Sequence, residues 1–340
     1  MSPHTPIKLV AIGGGTGLST LLAGLKPYLP YPMGYPAKPR EDSAYPLPCV
    51  ALSLTAIVTV TDDGKSSGRL RGEFSVLPPG DIRNCLVALA DDGQLMTELF
   101  RHRFPGNGDL GGHSLGNLII LALNQLSGNF LGAVEQAREM LGIQARVLPS
   151  TLDCVDLVAR IGDRRVRGQV AIKSQNAPIR ELQLTPPDAK ALPDAVEAIL
   201  NADVITLGPG SLFTSVIANL LVKDIYHALI QSRARKVYIC NVMTEYDETD
   251  GFDAMDHVRQ LLDYAPELRL DYAVFNSTPI SPAMLEQYAA EKATALEAPR
   301  SVPPEFGGMR IVALPLASES RAVRHDPTQL MNAIFDICSR

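Results

Sequence analysis

The first segment of the chain that could do chemistry is a glycine-rich turn, IGGGTGLS, at Ile12–Ser19. It follows an apolar run, Ile7–Ile12, that predicts a buried strand, and it precedes a helical pattern at Ser19–Leu25. Glycine lets backbone N–H groups approach an anion closely, and a helix N-terminus adds about half a positive charge. The turn is not a Walker loop, and Leu18 spoils the dinucleotide-binding fingerprint. The expected ligand-binding residues are Gly13, Gly14, Gly15, Thr16 and Gly17.

Two adjacent carboxylates follow the second predicted strand, Ala56–Thr61, in the segment VTDDGKSSGRLR at Val60–Arg71. Ligands of open parallel sheets bind at the carboxyl ends of the strands, which is where we expect Asp62 and Asp63. Such a pair could hold a hydrated Mg²⁺, bind the hydroxyl groups of a ribose or sugar, or act as a base. The alternative is an Asp-Gly turn with solvated charges. The ligand-binding candidates are Asp62, Asp63, Ser66 and Ser67, and the two aspartates are also the candidate metal ligands and, in an enzyme, the catalytic residues.

Four later segments repeat the combination of a turn, polar side chains and a helix start. They are LPPGDIRNCLVALAD, GGHSLGNLII, LGPGSLFTSVIANLL and CNVMTEYDETDGFDAMDHV. We interpret Asp81 in the first segment as a helix N-cap and His257 in the last as part of a solvated helix face. The ligand-binding candidates are Asn84, His113, Ser114, Asn117, Gly208, Gly210, Ser211, Asn241 and Thr244. A single such turn is weak evidence, but in a parallel sheet all of them emerge at one edge, which predicts one polar ligand across them.

Strand-like apolar runs alternate with helical patterns along the 340 residues. Near-continuous Val, Ile and Leu runs separated by helices indicate a parallel sheet covered on both faces. Further strands are predicted at Asp203–Leu207, Lys236–Asn241, Tyr272–Asn276 and Ile311–Leu314, and further helices at Asp81–Ala90, Leu115–Leu126, Ser211–Val222 and Pro327–Cys338. The Pro-rich segment Pro27–Pro48 is interpreted as a surface insertion, and Ile161–Leu184 as a β-rich excursion of antiparallel strands. We expect one domain over residues 1–340.

The composition argues against several classes of protein. The net charge is −6 and no basic run occurs, which argues against nucleic-acid binding. The cysteines at positions 49, 85, 154, 240 and 338 are scattered, which argues against a zinc ribbon and favours a reducing compartment. The longest apolar stretch, Leu118–Leu123, is too short to span a bilayer, and the N-terminus lacks a signal-peptide pattern. We therefore expect a cytoplasmic protein without a membrane span.

The motifs together resemble the YvcK branch of the CofD-like superfamily, whose members are also called gluconeogenesis factors. The resemblance runs from about Lys8 to Pro327 and rests on IGGGTGLS, VTDDGKSSGRLR, LPPGDIRNCLVALAD, GHSLGNLII, LGPGSLFTSVIANLLV and KVYICNVMTEYDETDGF. It implies an α/β fold, a Rossmann-like three-layer sandwich with a mostly parallel central sheet and, in this chain, a small β-rich excursion. It also implies binding of UDP-sugars such as UDP-N-acetylglucosamine, and a cytoplasmic role in cell shape and cell-wall precursor control during gluconeogenic growth.

The resemblance also implies two contacts to the nucleotide-sugar near the C-terminus. By their positions within EQYAAE and RAVRHDP, these contacts fall on Tyr288 and Arg324. An aromatic face can stack on a base or sugar, and an arginine fork fits a diphosphate. The sister branch, the 2-phospholactate transferases, shares the adjacent aspartates, which lie near a metal and the transferring phosphate. The chain departs from the pattern at Lys65, where glycine is usual, at Glu245–Asp247, which replaces Gln-Pro-Gly, and in the Pro-rich insertion.

Two functional hypotheses follow. The first is a nucleotide-sugar-binding regulatory protein, because the turns offer anion donors and no clear nucleophile–base pair. The alternative is a transferase of a phosphate-linked group, with Mg²⁺ as its cofactor at Asp62 and Asp63. A nicotinamide dehydrogenase is disfavoured, because Asp62 lies far beyond the spacing of about 20 residues in that fingerprint. We also expect a homo-oligomer and a cell-wall or metabolic protein partner.

Overall fold

The computed structural model describes residues 6–30, 51–175, 177–301, 306–320 and 322–339. The predicted insertion Pro27–Pro48 lies outside these residues except for its first four positions. Those positions continue from the first helix through a short 3₁₀ turn at Lys26–Tyr28. The ring of Tyr28 packs edge-on against Phe335 at a centroid distance of 4.6 Å, so the start of the insertion is attached to the core.

A seven-stranded parallel sheet forms the centre of the fold. In spatial order its strands are β10 (Arg310–Leu314), β9 (Tyr272–Asn276), β8 (Arg235–Ile239), β7 (Val204–Leu207), β1 (Ile7–Gly13), β2 (Leu52–Val58) and β3 (Arg146–Pro149). The strand β1 lies inside the sheet, paired with β2 on one side and β7 on the other. Leu9, Ala11 and Ile12 of β1 are completely buried, as expected for a strand covered on both faces. The strand order reverses at β1, and parallel sheets bind ligands at the carboxyl end of such a switch point.

Helices flank the sheet. They are α1 (Gly15–Leu25), α2 (Lys65–Phe74), α3 (Gly80–Leu89), α4 (Leu95–Arg101), α5 (Leu115–Ser127), α6 (Phe130–Met140), α7 (Gln169–Lys173), α8 (Pro193–Leu200), α9 (Ala218–Leu220), α10 (Lys223–Gln231), α11 (Ala254–Tyr264), α12 (Pro282–Ala290) and α13 (Pro327–Ser339). The helix α1 packs against α3 and α13, and its Leu18, Leu21 and Leu25 are completely buried. No single helix in the described ranges is long and apolar enough to cross a membrane, although the bent pair Leu212–Leu220 and Lys223–Gln231 has the combined length and composition.

Two small antiparallel sheets accompany the main sheet. The first contains β4 (Asp156–Ile161), β5 (Arg164–Arg167) and β6 (Ile179–Thr185) in the order β5-β4-β6. The second pairs β11 (Ala317–Glu319) with β12 (Val323–His325). The predicted β-rich excursion is confirmed, although most of β4 precedes its predicted start and α7 interrupts it. The predicted fold class, a Rossmann-like α/β sandwich with a mostly parallel sheet, is confirmed as well.

The second strand lies earlier in the chain than predicted. It starts at Leu52 and ends at Val58 instead of running over Ala56–Thr61. The apolar pattern continues past the end of the strand because Thr59 and Thr61 stay buried in the following loop, where their hydroxyls lie 3.1 Å apart. The buried residues of this loop therefore produced the sequence pattern of a strand.

The helix predicted at Ser211–Val222 begins as a π-helical turn, Leu212–Ile217, and continues as the short helix α9. Its side chains are buried throughout. Asn219 at its end donates from Nδ2 to the carbonyl oxygen of Gly13 at 3.0 Å, which ties this helix to the end of β1. Single π-helical turns are uncommon and often occur at functional sites.

Candidate functional site

A cleft of about 320 Å³ opens at the carboxyl ends of β1, β7 and β8. Three turns contribute to it: the glycine turn after β1, Pro209–Ser215 after β7, and Asn241–Glu245 after β8. Tyr288 on α12 and the strand β12 supply the rest of the lining. The predicted site residues that meet here are Gly14, Gly15, Thr16, Gly17, Gly210, Ser211, Asn241, Thr244, Tyr288 and Arg324. Turns that are distant in the chain therefore surround one space.

The turn after β1 requires glycine at three positions, Gly14 and Gly17 for space and Gly15 for its backbone conformation. Gly15 has a φ of +60°, a conformation that favours glycine. A Cβ on Gly14 would lie 2.9 Å from Oδ2 of Asp81, and one on Gly17 would lie 2.5 Å from the carbonyl oxygen of Pro209. The turns after β1 and β7 are thus in direct backbone contact. The first turn of α1 brings its dipole and the N–H groups of Thr16 and Gly17 to the cleft, which suits an anion. The N–H of Gly15 instead donates to Asp81.

The turns after β7 and β8 are joined by polar side chains. Gly208 and Gly210 both have positive φ, 83° and 146°, and shape the first of these turns. The N–H of Gly210 donates to Oδ1 of Asn241 at 3.2 Å. The carboxylate of Glu245 accepts from the Ser211 hydroxyl at 2.6 Å and from Nδ2 of Asn241 at 3.0 Å. Glu245 therefore organises this side of the cleft.

An ion cluster lies behind that carboxylate. Lys173 of α7 places Nζ 2.8 Å from Oε1 of Glu248 and 3.6 Å from Oε2 of Glu245. The side chain of Glu248 is completely buried and also accepts from the Thr214 hydroxyl at 2.7 Å. Burial disfavours the charged lysine, but the attraction of Glu248 and Glu245 outweighs it and raises the pKa of Lys173. Burial and the like charge of Glu248 raise the pKa of Glu245, while Lys173 and Ser211 oppose that rise.

The other lining residues come from α12 and β12. The hydroxyl of Tyr288 accepts from the N–H of Val323 at 3.0 Å, which holds β12 at the cleft. Arg324 is exposed, and its guanidinium has no hydrogen-bond or ion-pair partner among the residues that the structure describes. His325 is buried with Nε2 3.0 Å from the carbonyl oxygen of Cys240, and burial lowers its pKa to about 4. Since His325 is neutral near pH 7, Arg324 is the cation that this part of the cleft offers a ligand.

The side chains of the two adjacent aspartates contact different parts of the structure. Oδ2 of Asp62 lies beside Gly80, where a Cβ would be 2.9 Å away. Oδ1 of Asp63 instead accepts from the N–H of Val170, at 2.9 Å, in the first turn of α7. Neither aspartate lines the cleft. Asp63 therefore attaches the β-rich excursion, and Asp62 stays beside the start of α3.

Asp81 was predicted as an N-cap, and that prediction is wrong. The helix α3 begins one residue earlier, with Pro79 at the N-cap position and its carbonyl accepting from the N–H of Arg83 at 2.8 Å. Asp81 thus lies inside the first turn, where its largely buried carboxyl accepts a hydrogen bond from the backbone of Gly15. Burial and the nearby charge of Asp62 raise the pKa of Asp81 to about 7.

Magnesium fits this corner as an ion shared with a ligand. Mg²⁺ is usually held by one or two carboxylates together with water and substrate phosphates. Asp62 and Asp81 are near enough to influence each other's charge, and Asp81 touches the turn that would receive the phosphates. No group of three or more His, Cys, Asp or Glu in the described ranges could enclose a metal by itself. Asp62 and Asp81 are the residues that would hold Mg²⁺, whereas Asp63 is engaged with α7.

Three other predicted residues form a buried cluster between α2 and the start of α5. Oγ of Ser66 lies 3.0 Å from Nδ1 of His113 and accepts from Nδ2 of Asn117 at 3.1 Å. Burial and the nearby charge of Arg69 lower the pKa of His113, which favours the neutral ring in this contact. None of the three side chains lines the cleft. The cluster therefore connects the two helices behind the site.

The remaining predicted residues have structural contacts outside the cleft lining. The hydroxyl of Ser67 lies against Gly80, and that of Ser114 donates to the carbonyl of Phe100 at 3.3 Å. Oδ1 of Asn84 accepts from the neighbouring guanidinium on α3. The two predicted glycines that do not line the cleft are Gly13 and Gly208, which only shape their turns.

His257 was predicted on a solvated helix face, and that prediction is wrong. Its side chain is completely buried, with Nδ1 2.9 Å from the carbonyl oxygen of Asp253 and the ring edge-on to Phe252. The helix α11 starts with a capping box in which Asp253 and Asp256 exchange hydrogen bonds. The acidic neighbours thus lie at the exposed helix start, while the histidine turns into the core.

Several residues at the site were not predicted. Ser215 and His325 line the cleft, and Lys173 lies directly behind Glu245. Ser215 had a signal, because it follows a glycine turn on the same segment as Ser211. Lys173 had none, because its contact with the cleft depends on how the excursion folds back onto the main sheet.

Glycine turns gathered at the switch point of a parallel sheet define a Rossmann-like α/β protein with a cleft suited to an anionic ligand. Comparison with known families agrees with that class. The family described as 2-phospho-L-lactate transferase CofD matches residues 9–313. The chain belongs to this CofD family.

Similar proteins place the chain in one branch of the family. It is 39% identical over 329 residues to the gluconeogenesis factor of Halalkalibacterium halodurans, covering 96% of this chain and 95% of that protein. It is 39% identical over 331 residues to the gluconeogenesis factor of Bacillus subtilis, covering 97% of this chain and 98% of that protein. A crystal structure of a Bacillus halodurans protein matches it with a TM-score of 0.86 at 38% identity, covering 97% of this chain and 100% of that one. The predicted resemblance to the gluconeogenesis factors is confirmed.

Proposed function

We propose that this protein is a cytoplasmic regulator that binds a UDP-sugar, such as UDP-N-acetylglucosamine, and acts in gluconeogenic growth and cell-wall precursor metabolism. The observation that supports the proposal is the composition of the cleft. The start of α1 offers backbone N–H groups to a diphosphate, and Arg324 offers a guanidinium to the same space. Tyr288 adds an aromatic side chain for a base or sugar. The role in gluconeogenic growth comes from the name that the similar proteins carry.

The cleft supports binding better than turnover. Its volume of about 320 Å³ lies in the range of small-molecule pockets. His325 is neutral and engaged with the Cys240 carbonyl, and Glu245 is engaged with Ser211 and Asn241. The Ser211 hydroxyl donates to Glu245, but this carboxylate is also held by Asn241 and Lys173, which favours a role in organising the turn. A protein of this kind acts through a ligand-dependent conformation or partner.

A transferase is the second candidate, and one observation favours it. Asp81 lies beside the glycine turn where a diphosphate would sit, and Asp62 is close enough to Asp81 to influence its charge. Mg²⁺ at these carboxylates would neutralise charge that develops on a leaving phosphate. Incubation of the protein with UDP-N-acetylglucosamine, Mg²⁺ and candidate acceptors, followed by chromatography, tests it: release of UDP supports transfer, and unchanged donor contradicts it.

Titration calorimetry with UDP-N-acetylglucosamine tests the leading proposal. We expect Arg324→Ala to weaken binding by 1.5–3 kcal/mol, or roughly 10- to 150-fold, because a charge-assisted hydrogen bond to phosphate is lost. Arg165→Ala is the matched control, since Arg165 is an exposed arginine on β5 outside the cleft lining. Absence of binding to the wild-type protein at millimolar ligand would contradict the proposal, and equal affinities for the two variants would remove Arg324 from the site.

A further inference from the structure

Glu245 places a carboxylate in a cleft that is otherwise built for an anion. The residue lines the cleft, and 33% of its side chain is exposed. An ionised carboxylate only accepts hydrogen bonds, and it repels a phosphate placed next to it. The part of an anionic ligand that reaches Glu245 should therefore not carry the phosphate charge, and a neutral group there should donate hydrogen bonds.

The hydrogen bonds of Glu245 leave part of its acceptor capacity free. A carboxylate offers about four lone-pair positions, two on each oxygen. The Ser211 hydroxyl uses one position on Oε2, and Nδ2 of Asn241 uses one on Oε1. These two donors also fix the orientation of the group. The carboxylate is thus a pre-oriented acceptor with one remaining position on Oε1, because Lys173 lies against Oε2.

The ion cluster behind Glu245 influences the charge of the carboxylate that faces the cleft. Lys173 is shared between two carboxylates, and its shorter contact, 2.8 Å against 3.6 Å, goes to Glu248. Glu248 is completely buried, so it takes the larger share of that cation. Burial and the like charge of Glu248 raise the pKa of Glu245, and Lys173 limits this rise and so favours the ionised form. Lys173 therefore acts as a positioning residue for Glu245.

We propose that Glu245 is a specificity-determining residue, whose carboxylate accepts a hydrogen bond from a hydroxyl group of a sugar ring in the ligand. The inference rests on the proposed function for the presence of a nucleotide-sugar and adds which chemistry the cleft selects. The ring is either the ribose or the hexose of that ligand, since both offer the same neutral donors. The same carboxylate disfavours ligands that would place a further phosphate at this position.

Titration calorimetry on the wild-type protein and Glu245→Gln tests the inference with four probes: UDP-N-acetylglucosamine, UDP, 2′,3′-dideoxy-UDP and inorganic pyrophosphate. The isosteric glutamine removes the charge, and we expect about a tenfold or larger loss of affinity for probes that contain the hydroxyl group read by Glu245. A loss confined to UDP-N-acetylglucosamine supports reading of the hexose. A loss shared by UDP-N-acetylglucosamine and UDP but absent for dideoxy-UDP supports reading of the ribose.

Other outcomes overturn the inference. An equal loss of affinity for all three nucleotides would show that Glu245 contacts the base. Tighter binding of all four probes by the same factor would show that Glu245 only repels anions. Unchanged affinities for Glu245→Gln would remove it from recognition while leaving the proposed function in place. If the wild-type protein binds none of the nucleotides, the proposed function fails and this inference fails with it. Glu267→Gln, at an exposed glutamate outside the cleft lining, is the matched control.

The role of Lys173 has its own measurement. In Lys173→Met, Glu245 loses the neighbouring charge that lowers its pKa, so discrimination between the sugar-bearing probe and pyrophosphate should disappear at a higher pH than in the wild-type protein. Lys173→Arg keeps the charge and should restore the wild-type pH profile. Thermal unfolding of each variant checks that the protein still folds when the contact between Lys173 and the buried Glu248 is changed. Identical pH profiles for the three folded proteins would contradict the positioning role.

Discussion

At the scale of single residues, Asp81 determines the charge beneath the glycine turn. Burial and the charge of Asp62 disfavour ionisation of the Asp81 carboxyl. The hydrogen bond from the backbone of Gly15 and the charges of Arg83 and Lys173 favour ionisation, but their effect is weaker. With a pKa of about 7, the carboxyl holds a proton over much of the acidic range. A protonated carboxyl beside an anion-binding turn avoids the repulsion that an ionised one would cause.

The raised pKa of Asp81 makes the stability of the protein depend on pH. Below about pH 4 the group is protonated in both the folded and the unfolded chain, and its contribution is complete. As the pH rises to about 7, the unfolded chain releases the proton first, so the free energy of unfolding falls, by up to about 4 kcal/mol. We expect Asp81→Asn, which cannot ionise, to lack this decrease, and urea unfolding at several pH values measures it. Parallel pH profiles for wild type and Asp81→Asn would contradict the prediction, and the exposed Asp188→Asn is the control.

At the scale of elements, the helix α7 links the excursion to both sides of the site. It has only five residues, so its position depends on its contacts. Asp63 accepts from the N–H of Val170 at its start, and Lys173 at its end contacts Glu248 and Glu245. A small helix thereby joins the aspartate loop after β2 to the acidic loop after β8.

The start of α7 depends on a glycine whose replacement should lower the free energy of unfolding. Gly168 has a φ of +96°, and a Cβ on it would lie 2.3 Å from Oδ2 of Asp63. Gly162, in the turn before β5, has a φ of +57° with nothing within 4 Å of a Cβ. We expect Gly162→Ala to cost about 1–2 kcal/mol from backbone strain alone, and Gly168→Ala to cost at least about 1 kcal/mol more, because Asp63 must move from Val170. Chemical denaturation of both variants measures the difference, and equal costs would show that the Asp63 contact does not hold α7.

The same elements show what the sequence could and could not predict. Continuous apolar runs identified the buried strands, and β9 was predicted with its observed bounds, because in a covered parallel strand nearly every residue is apolar. The end of β2 was misplaced, since Thr59 and Thr61 are buried without being in the strand. The glycine turns of the cleft were predictable from local chemistry. The contact of Lys173 with Glu245 was not, because it depends on packing between segments that carry no local signal for each other.

At the scale of the whole molecule, the topology of the sheet brings the site together. Because every strand of the central sheet is parallel, the turns after β1, β7 and β8 all emerge at one edge. The helix α1 occupies the middle of this arrangement and is held at two places by backbone contacts. Its Gly17 touches the turn after β7, and its Gly24 touches the first residue of α13.

Substitution of Gly17 and of Gly24 distinguishes an effect on the stability of the fold from an effect on the geometry of the cleft. A Cβ on Gly17 would lie 2.5 Å from the carbonyl oxygen of Pro209, and one on Gly24 would lie 2.0 Å from that of Pro327. Both Gly17→Ala and Gly24→Ala should therefore lower the free energy of unfolding, by about 1–3 kcal/mol, since backbone must move in each case. Only Gly17→Ala forces apart the two turns that line the cleft, so we expect it alone to weaken binding of UDP-N-acetylglucosamine, by about tenfold or more. Denaturation and calorimetry on both variants test this: normal binding by Gly17→Ala, or an equal loss in folded Gly24→Ala, would show that contact between the turns does not shape the cleft.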